Sequence, residues 1–182
     1  MTPRLKRLFV VVIVIQVVFL LGLVGYREAT LIYGRTAVLQ TVPVDPRDLF
    51  KGEYVTLRYE ISTLRNDRKN PDPKKRTRLI GNFNEGDTAY VTLITVGLSS
   101  SYSILAQAGE PLSGADLFIK GKVTSSNDGT ITVDYGIEQY FILEGRGLEI
   151  EQADDVKVRV KINRSGTAAI EALIVDGEVW RP

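Results

Sequence analysis

From Leu8 to Tyr26 the chain carries 19 residues without a charge, and fifteen of them are Val, Ile, Leu or Phe. Gln16 is the main polar interruption. At 1.5 Å rise per residue such a run spans about 29 Å, close to the hydrocarbon thickness of a bilayer. On an insertion scale, ~0.3–0.6 kcal/mol per apolar residue favours burial in lipid by roughly 5–9 kcal/mol, before the cost of Gln16 and the glycines. Val and Ile are poor helix formers in water, but in lipid the backbone has no partner except itself. The pattern therefore predicts one transmembrane helix over residues 8–26. Gln16 is a candidate for hydrogen bonding to a neighbouring membrane helix.

Beyond the run the period changes. Residues 27–35 form a juxtamembrane segment that continues the helix briefly, and from Thr36 short alternating runs separated by turn residues predict strands. Thr36–Val42 ends at Pro43. Glu53–Ser62 reads as one strand, with Tyr54, Thr56, Arg58 and Glu60 on one face and Val55, Leu57, Tyr59 and Ile61 on the other. Further strands are expected at Asp87–Leu98, Tyr102–Gln107, Leu117–Thr124, Thr130–Tyr135, Val156–Ile162 and Thr167–Val175. Asn127-Asp128-Gly129 is a hairpin turn, since these residues tolerate positive φ. Arg65–Arg78 is a polar loop with seven basic residues, two acidic ones and two prolines. Glu144–Glu151 has room for one short helical turn. In Val156–Ile162 the valines and Ile162 should point inward and Lys157, Arg159 and Lys161 outward. No internal repeat and no low-complexity linker divides the region. The expected fold is mainly β: an antiparallel β-sandwich or partly open β-barrel over residues 36–182, behind one N-terminal transmembrane α-helix.

Charge sets the expected orientation. Arg4, Lys6 and Arg7 precede the apolar run, which predicts a cytoplasmic N-terminus over residues 1–7. The β-rich part is then periplasmic, extracellular or thylakoid lumenal. A cleaved signal peptide would have a shorter apolar core followed by small residues at the cleavage position, and no Ala-x-Ala follows here. The chain of 182 residues holds 23 Lys+Arg against 22 Asp+Glu, so no global field recruits nucleic acid. It has neither Cys nor His. That excludes thiolate sites and disulfides and removes the commonest base near neutral pH. No cofactor is expected. Glu138, Glu144, Glu149 and Glu151 read as solvated charges, with no 12-residue calcium loop around them. Trp180 reads as a ring packed on the domain edge.

The most distinctive stretch is Pro43-Val-Asp-Pro-Arg-Asp-Leu-Phe-Lys-Gly-Glu-Tyr-Val-Thr-Leu-Arg-Tyr59. Its two prolines hold an extended-to-turn segment. Asp45 and Asp48 can accept turn N–H bonds, and Arg47 can pair with either. Gly52 releases the chain into a strand. Tyr54 and Tyr59 project to opposite faces, so one ring can enter the core while the other caps its edge. The segment Gly52-Glu53-Tyr54-Val-Thr-Leu57-Arg-Tyr59 resembles the GDYXXLXY family of bacterial membrane-anchored proteins, with Glu53 in place of the family's Asp. The stretches Tyr135–Gly147 and Asn163–Gly177 are similar to the same family. The resemblance implies a place in a membrane assembly, beside a lipid bilayer and integral-membrane subunits, and it implies no reaction. Pro43, Asp45, Arg47, Asp48, Gly52, Glu53, Tyr54, Leu57 and Tyr59 are thus candidates either for docking a partner or for nucleating the sheet.

Three functions remain in view. A non-catalytic accessory subunit or assembly factor of a membrane complex fits the anchor and the missing residue types. An extracytoplasmic ligand- or peptide-binding module would need a pocket lined by Tyr54, Tyr59, Tyr135 or Tyr140. The order of residues in the motif is also similar to the substrate-binding stretch of type I signal peptidases. The corresponding place here is Pro43-Val-Asp, with no Ser or Thr nearer than Thr41, so any such enzyme would be degenerate.

Overall fold

The computed structural model describes residues 3–42, 54–65, 77–93, 104–108, 111, 117–142, 149–150 and 153–180. Helix α1 (Pro3–Tyr33) leads without a break into β1 (Arg35–Val42). The following strands are β2 (Tyr54–Thr56), β3 (Arg58–Tyr59), β4 (Thr63–Arg65), β5 (Thr77–Ile80), β6 (Thr88–Leu93) and β7 (Ile104–Ala108). After them come β8 (Phe118–Asn127), β9 (Thr130–Asp134), β10 (Gln139–Phe141), β11 (Val156–Ile162), β12 (Ala168–Val175) and β13 (Glu178–Trp180). The fold is mainly β, as the alternating pattern predicts.

The strands form a five-stranded sheet in the order β13-β12-β11-β1-β3, a six-stranded sheet in the order β4-β9-β8-β6-β7-β5, and a β10–β2 pair. Among the described residues every pairing is antiparallel except β5 with β7. Alternation explains the layers. In β11, Val158, Val160 and Ile162 are buried while Lys157, Arg159 and Lys161 lie at the outer face, half-exposed. Leu39, Val158, Val160 and Leu173 from the first sheet share one core with Val91, Ile119, Val123, Ile131 and Val133 from the second. The inner faces of the two sheets therefore pack against each other.

Two Asp-Gly turns fix registers. Asp128 and Gly129 both have positive φ between β8 and β9, and Asp176 and Gly177 do the same between β12 and β13. The first turn was expected. The second adds a strand, β13, that the alternation alone does not announce.

The segment predicted as one strand over Glu53–Ser62 is divided. Residues 54–56 pair with β10, residues 58–59 pair with β1, and Glu60–Ser62 close into a 3₁₀ turn. The predicted facing survives the division, because Leu57, Tyr59 and Ile61 are buried while Thr56, Arg58 and Glu60 are exposed. The ends of the expected polar loop also differ from prediction: Arg65 pairs in β4 and Thr77–Arg78 open β5, each next to apolar residues that the charge count outweighed. Residues 66–76 lie outside the described residues.

α1 contains a stretch, Arg7–Tyr33, that is long and apolar enough to cross a membrane. Its apolar side chains from Leu8 to Val24 are all exposed. The helix does not stop at the end of this run. It continues to Tyr33 and ends at Gly34, whose N–H reaches the Thr30 carbonyl at 2.9 Å. A Cβ at position 34 would lie 2.3 Å from that carbonyl oxygen and 3.0 Å from Lys161 Cβ. Glycine is what lets the helix end turn tightly into β1.

Candidate functional site

The motif strand changes neighbours at Leu57. Its N–H donates to the Glu138 carbonyl at 2.7 Å, the last bond of the β2–β10 pairing. The next residues, Arg58 and Tyr59, pair with Val42 and Thr41 of β1. Leu57 and Tyr59 lie two apart and both point inward. The Ser62 hydroxyl accepts the Tyr59 N–H at 3.2 Å and helps close the following turn.

Two tyrosines lock this crossover reciprocally. The Tyr59 hydroxyl donates to the Ile137 carbonyl at 2.6 Å. The Tyr135 hydroxyl donates to the Ile61 carbonyl at 2.6 Å. Both rings are buried, Tyr59 at only 1% exposure. Burial, and then the nearby Glu138 carboxyl, push both phenols well above their usual range. These hydroxyls stay protonated and act as donors. Gly121 makes space for one ring: a Cβ there would meet Tyr135 Cδ1 at 2.8 Å and Val133 Cγ1 at 2.4 Å.

Glu138 is not a solvated charge. It is half-buried, accepts the Tyr135 N–H through Oε1 at 2.7 Å, and shares a hydrogen bond with Asp134. Burial first, and then the Asp134 carboxylate, push its pKa up to about 7. Asp134 moves the opposite way, held low by its bond to Glu138 and by the Gly136 N–H at 2.9 Å. The pair thus moves apart, one carboxyl raised and the other lowered, a usual outcome for two acids at close quarters. Sequence reasoning missed this pair because spacing alone does not show that Ile137 turns inward and carries Glu138 against the motif.

A cavity of about 170 Å³ opens beside the crossover, lined by residues that include Gln40, Thr41, Thr56, Arg58, Asp154 and Val156. Its rim is tied together. Gln40 Nε2 donates to Asp155 Oδ1 at 2.8 Å, the Thr41 hydroxyl to the Val156 carbonyl at 2.6 Å, and Lys157 pairs with Asp155. The Lys157 ammonium and the Gln40 amide hold the Asp155 carboxyl below its ordinary range.

Of the sequence candidates, the structure brings Leu57 and Tyr59 together in the core. Pro43, Asp45, Arg47, Asp48, Gly52 and Glu53 lie outside the described residues, as does the side chain of Tyr54. The Gln16 side chain is exposed on α1. Tyr140 and Trp180 meet edge to face at 6.3 Å, and Trp180 Nε1 donates to Glu149 at 3.1 Å, so the indole packs on the domain edge as expected.

The third block quoted from the sequence, beginning at Asn163, supplies a second junction. Tyr26, Ala29, Thr30 and Tyr33 stand at i, i+3, i+4 and i+7 on one face of α1. The tip of the β11–β12 hairpin meets this face. Asn163 Nδ2 donates to the Tyr26 hydroxyl at 3.0 Å and to Thr30 Oγ1 at 3.2 Å. The Tyr26 and Ser165 hydroxyls lie 3.2 Å apart. Asn163 Oδ1 accepts the Ser165 N–H, the Ser165 hydroxyl and the Thr167 N–H at 3.0, 2.8 and 3.0 Å. One amide thus shapes the hairpin with its oxygen and grips the helix with its nitrogen. Thr30 is left only 3% exposed.

A family model described as GDYXXLXY protein matches residues 16–173. The chain belongs to that family. In this GDYXXLXY protein the match runs from mid-helix through the crossover and the helix–hairpin junction, ending within β12. No curated protein and no solved structure matches the chain.

Proposed function

We propose that this GDYXXLXY protein is a non-catalytic, single-pass membrane protein whose outer β-domain serves as an accessory or assembly subunit of a larger membrane complex. In this reading the N-terminus is cytoplasmic and the domain lies on the opposite side. The observation that carries the proposal is the junction between α1 and the β11–β12 hairpin. A flexible linker would leave the domain free to reorient relative to the helix. Here the helix continues unbroken beyond the apolar run and is bonded to the domain through Tyr26, Thr30, Asn163 and Ser165. The domain is thereby held in one orientation relative to α1, which suits a protein that must present one face to an integral-membrane neighbour.

The ligand-binding alternative is less well supported. Tyr59 and Tyr135 spend their hydroxyls on backbone carbonyls inside the core, and Tyr140 packs on Trp180. The cavity beside the motif, about 170 Å³, is below the ~300 Å³ typical of small-molecule sites.

The test is solubilisation of the native protein in a gentle detergent, followed by sizing and identification of what travels with it. A particle well above the 20.2 kDa of the chain, with integral-membrane subunits, is the expected result. Monomeric behaviour at native abundance would overturn the proposal. Protease added from the outer side of sealed vesicles should digest the β-domain, and protection from that side would overturn the orientation.

A further inference from the structure

We propose that Arg164, at the tip of the β11–β12 hairpin, forms with Tyr26 and Tyr33 a binding site for the phosphate of an anionic phospholipid in the leaflet facing the β-domain. This inference rests on the reading of α1 as a membrane anchor.

Depth comes first. Tyr26 closes the uncharged run, so in a bilayer its ring sits where hydrocarbon gives way to headgroups. Because Ser165 and Asn163 bond to the Tyr26 hydroxyl, the hairpin tip is fixed at that same level. Arg164 lies between these two residues and therefore stands in the phosphate layer.

Shape and charge follow. A cavity of about 640 Å³ lies between helix and hairpin, with Tyr26, Ala29, Tyr33 and Arg164 among its lining. A second of about 400 Å³ adjoins it, with Leu117, Phe118 and Arg35 among its lining. Tyr33, Asn163 and Arg164 belong to both. Among the described residues no acidic side chain lines either cavity. Glu28 falls off the helix face that meets the hairpin, as does Arg27. Arg164 is exposed and has no ion-pair partner among the described residues. Its planar guanidinium can grip a phosphate through two parallel N–H bonds. Tyr33 is 84% exposed. That placement gives an apolar ring nothing in water, whereas in the headgroup layer it joins the aromatic belt.

The experiment is native mass spectrometry of the full chain in detergent micelles, titrated with phosphatidylglycerol, phosphatidylcholine or inorganic phosphate. Phosphatidylglycerol should bind roughly fivefold better than phosphatidylcholine, the effect of about one basic side chain near an anionic surface. Arg164→Gln should lower it to the phosphatidylcholine level, Arg164→Lys should retain part of the preference, and Arg65→Gln on the other sheet should retain all of it. Equal occupancy by the two lipids, or a preference that survives Arg164→Gln, would overturn the proposal and leave the surface to an acidic group on a protein neighbour. Displacement of the lipid by an equal concentration of inorganic phosphate would overturn the lipid as the source of that phosphate. Flotation of the same chain with vesicles after carbonate washing keeps the two readings apart. A chain that floats but shows no lipid preference overturns this inference alone, and a chain that does not float overturns the anchor with it.

Discussion

Tyr59 shows what a single residue contributes at the crossover. Its ring fills the core like any large apolar side chain, but its hydroxyl also satisfies a backbone carbonyl that water cannot reach. Tyr59→Phe would keep the ring and leave the Ile137 carbonyl unpaired, a loss of about 1–3 kcal/mol. Denaturant titration of the full chain in micelles should register it, and an unchanged midpoint would show that the bond contributes nothing net. The proton on Glu138 gives a second prediction. Its pKa is pushed up to about 7 from an ordinary 4.5, so between those values the folded chain holds a proton that the unfolded chain has released. Stability should therefore fall as pH rises through that window. Asp134 contributes with the opposite sign, since its lowered pKa stabilises the fold at neutral pH and is lost only in acid. Glu138→Gln should flatten the decline between about pH 4.5 and 7, measured as the denaturation midpoint against pH. A slope that persists in the variant would place the titrating group elsewhere.

At the level of elements, β8 carries a cost visible only in three dimensions. Gly121 stands mid-strand, where glycine is normally unfavourable, because the Val133 side chain and the Tyr135 ring occupy the space of its missing Cβ. Gly121→Ala should cost about 1–3 kcal/mol through forced repacking, whereas Gly129→Ala at the open β8–β9 turn should cost mainly backbone strain, since nothing lies within 4 Å of its Cβ position. Comparing the two variants by thermal unfolding separates crowding from conformation. Elements of this kind also mark what the sequence could reveal. β1, β8, β9 and β11 were legible because each alternates over five residues or more, and β12 because it pairs back from the turn that follows β11. β4, β10 and β13 are three residues each, too short for a period to emerge, and the partners of β4 and β10 are distant in sequence. Asp176-Gly177 carried the same turn signal as Asp128-Gly129, but only three residues of strand follow it. Within the motif, the inward facing of Leu57 and Tyr59 was readable from spacing. The reciprocal bonds to Ile137 and Ile61 were not, because they depend on how two segments about 75 residues apart meet.

For the whole molecule, the central question is whether α1 and the β-domain move as one body. α1 has 31 residues and is about 46 Å long, of which about 29 Å is the uncharged run. Its last turns carry the domain, and the polar contacts of Asn163, Ser165 and Thr30 cluster within them. Separately, each exposed hydrogen bond at this junction adds little net stability. Together with the tight turn at Gly34 they remove the freedom of the only covalent connection between helix and sheets, so the coupling is geometric more than energetic. Inserting Gly-Ser-Gly-Ser between Tyr33 and Gly34 tests this directly. The strands and their core do not involve that bond, so the variant should fold and insert as before. What should change is orientation: spin labels at Arg7 and Arg65, read by pulsed electron resonance in nanodiscs, should give a narrow distance distribution in the native chain and a broad one after insertion. If the native distribution is already broad, the helix is a tether and the case for a rigidly presented face fails. If it is narrow and broadens while the large detergent-solubilised particle disperses, then fixed presentation of the β-domain is what the assembly requires of α1.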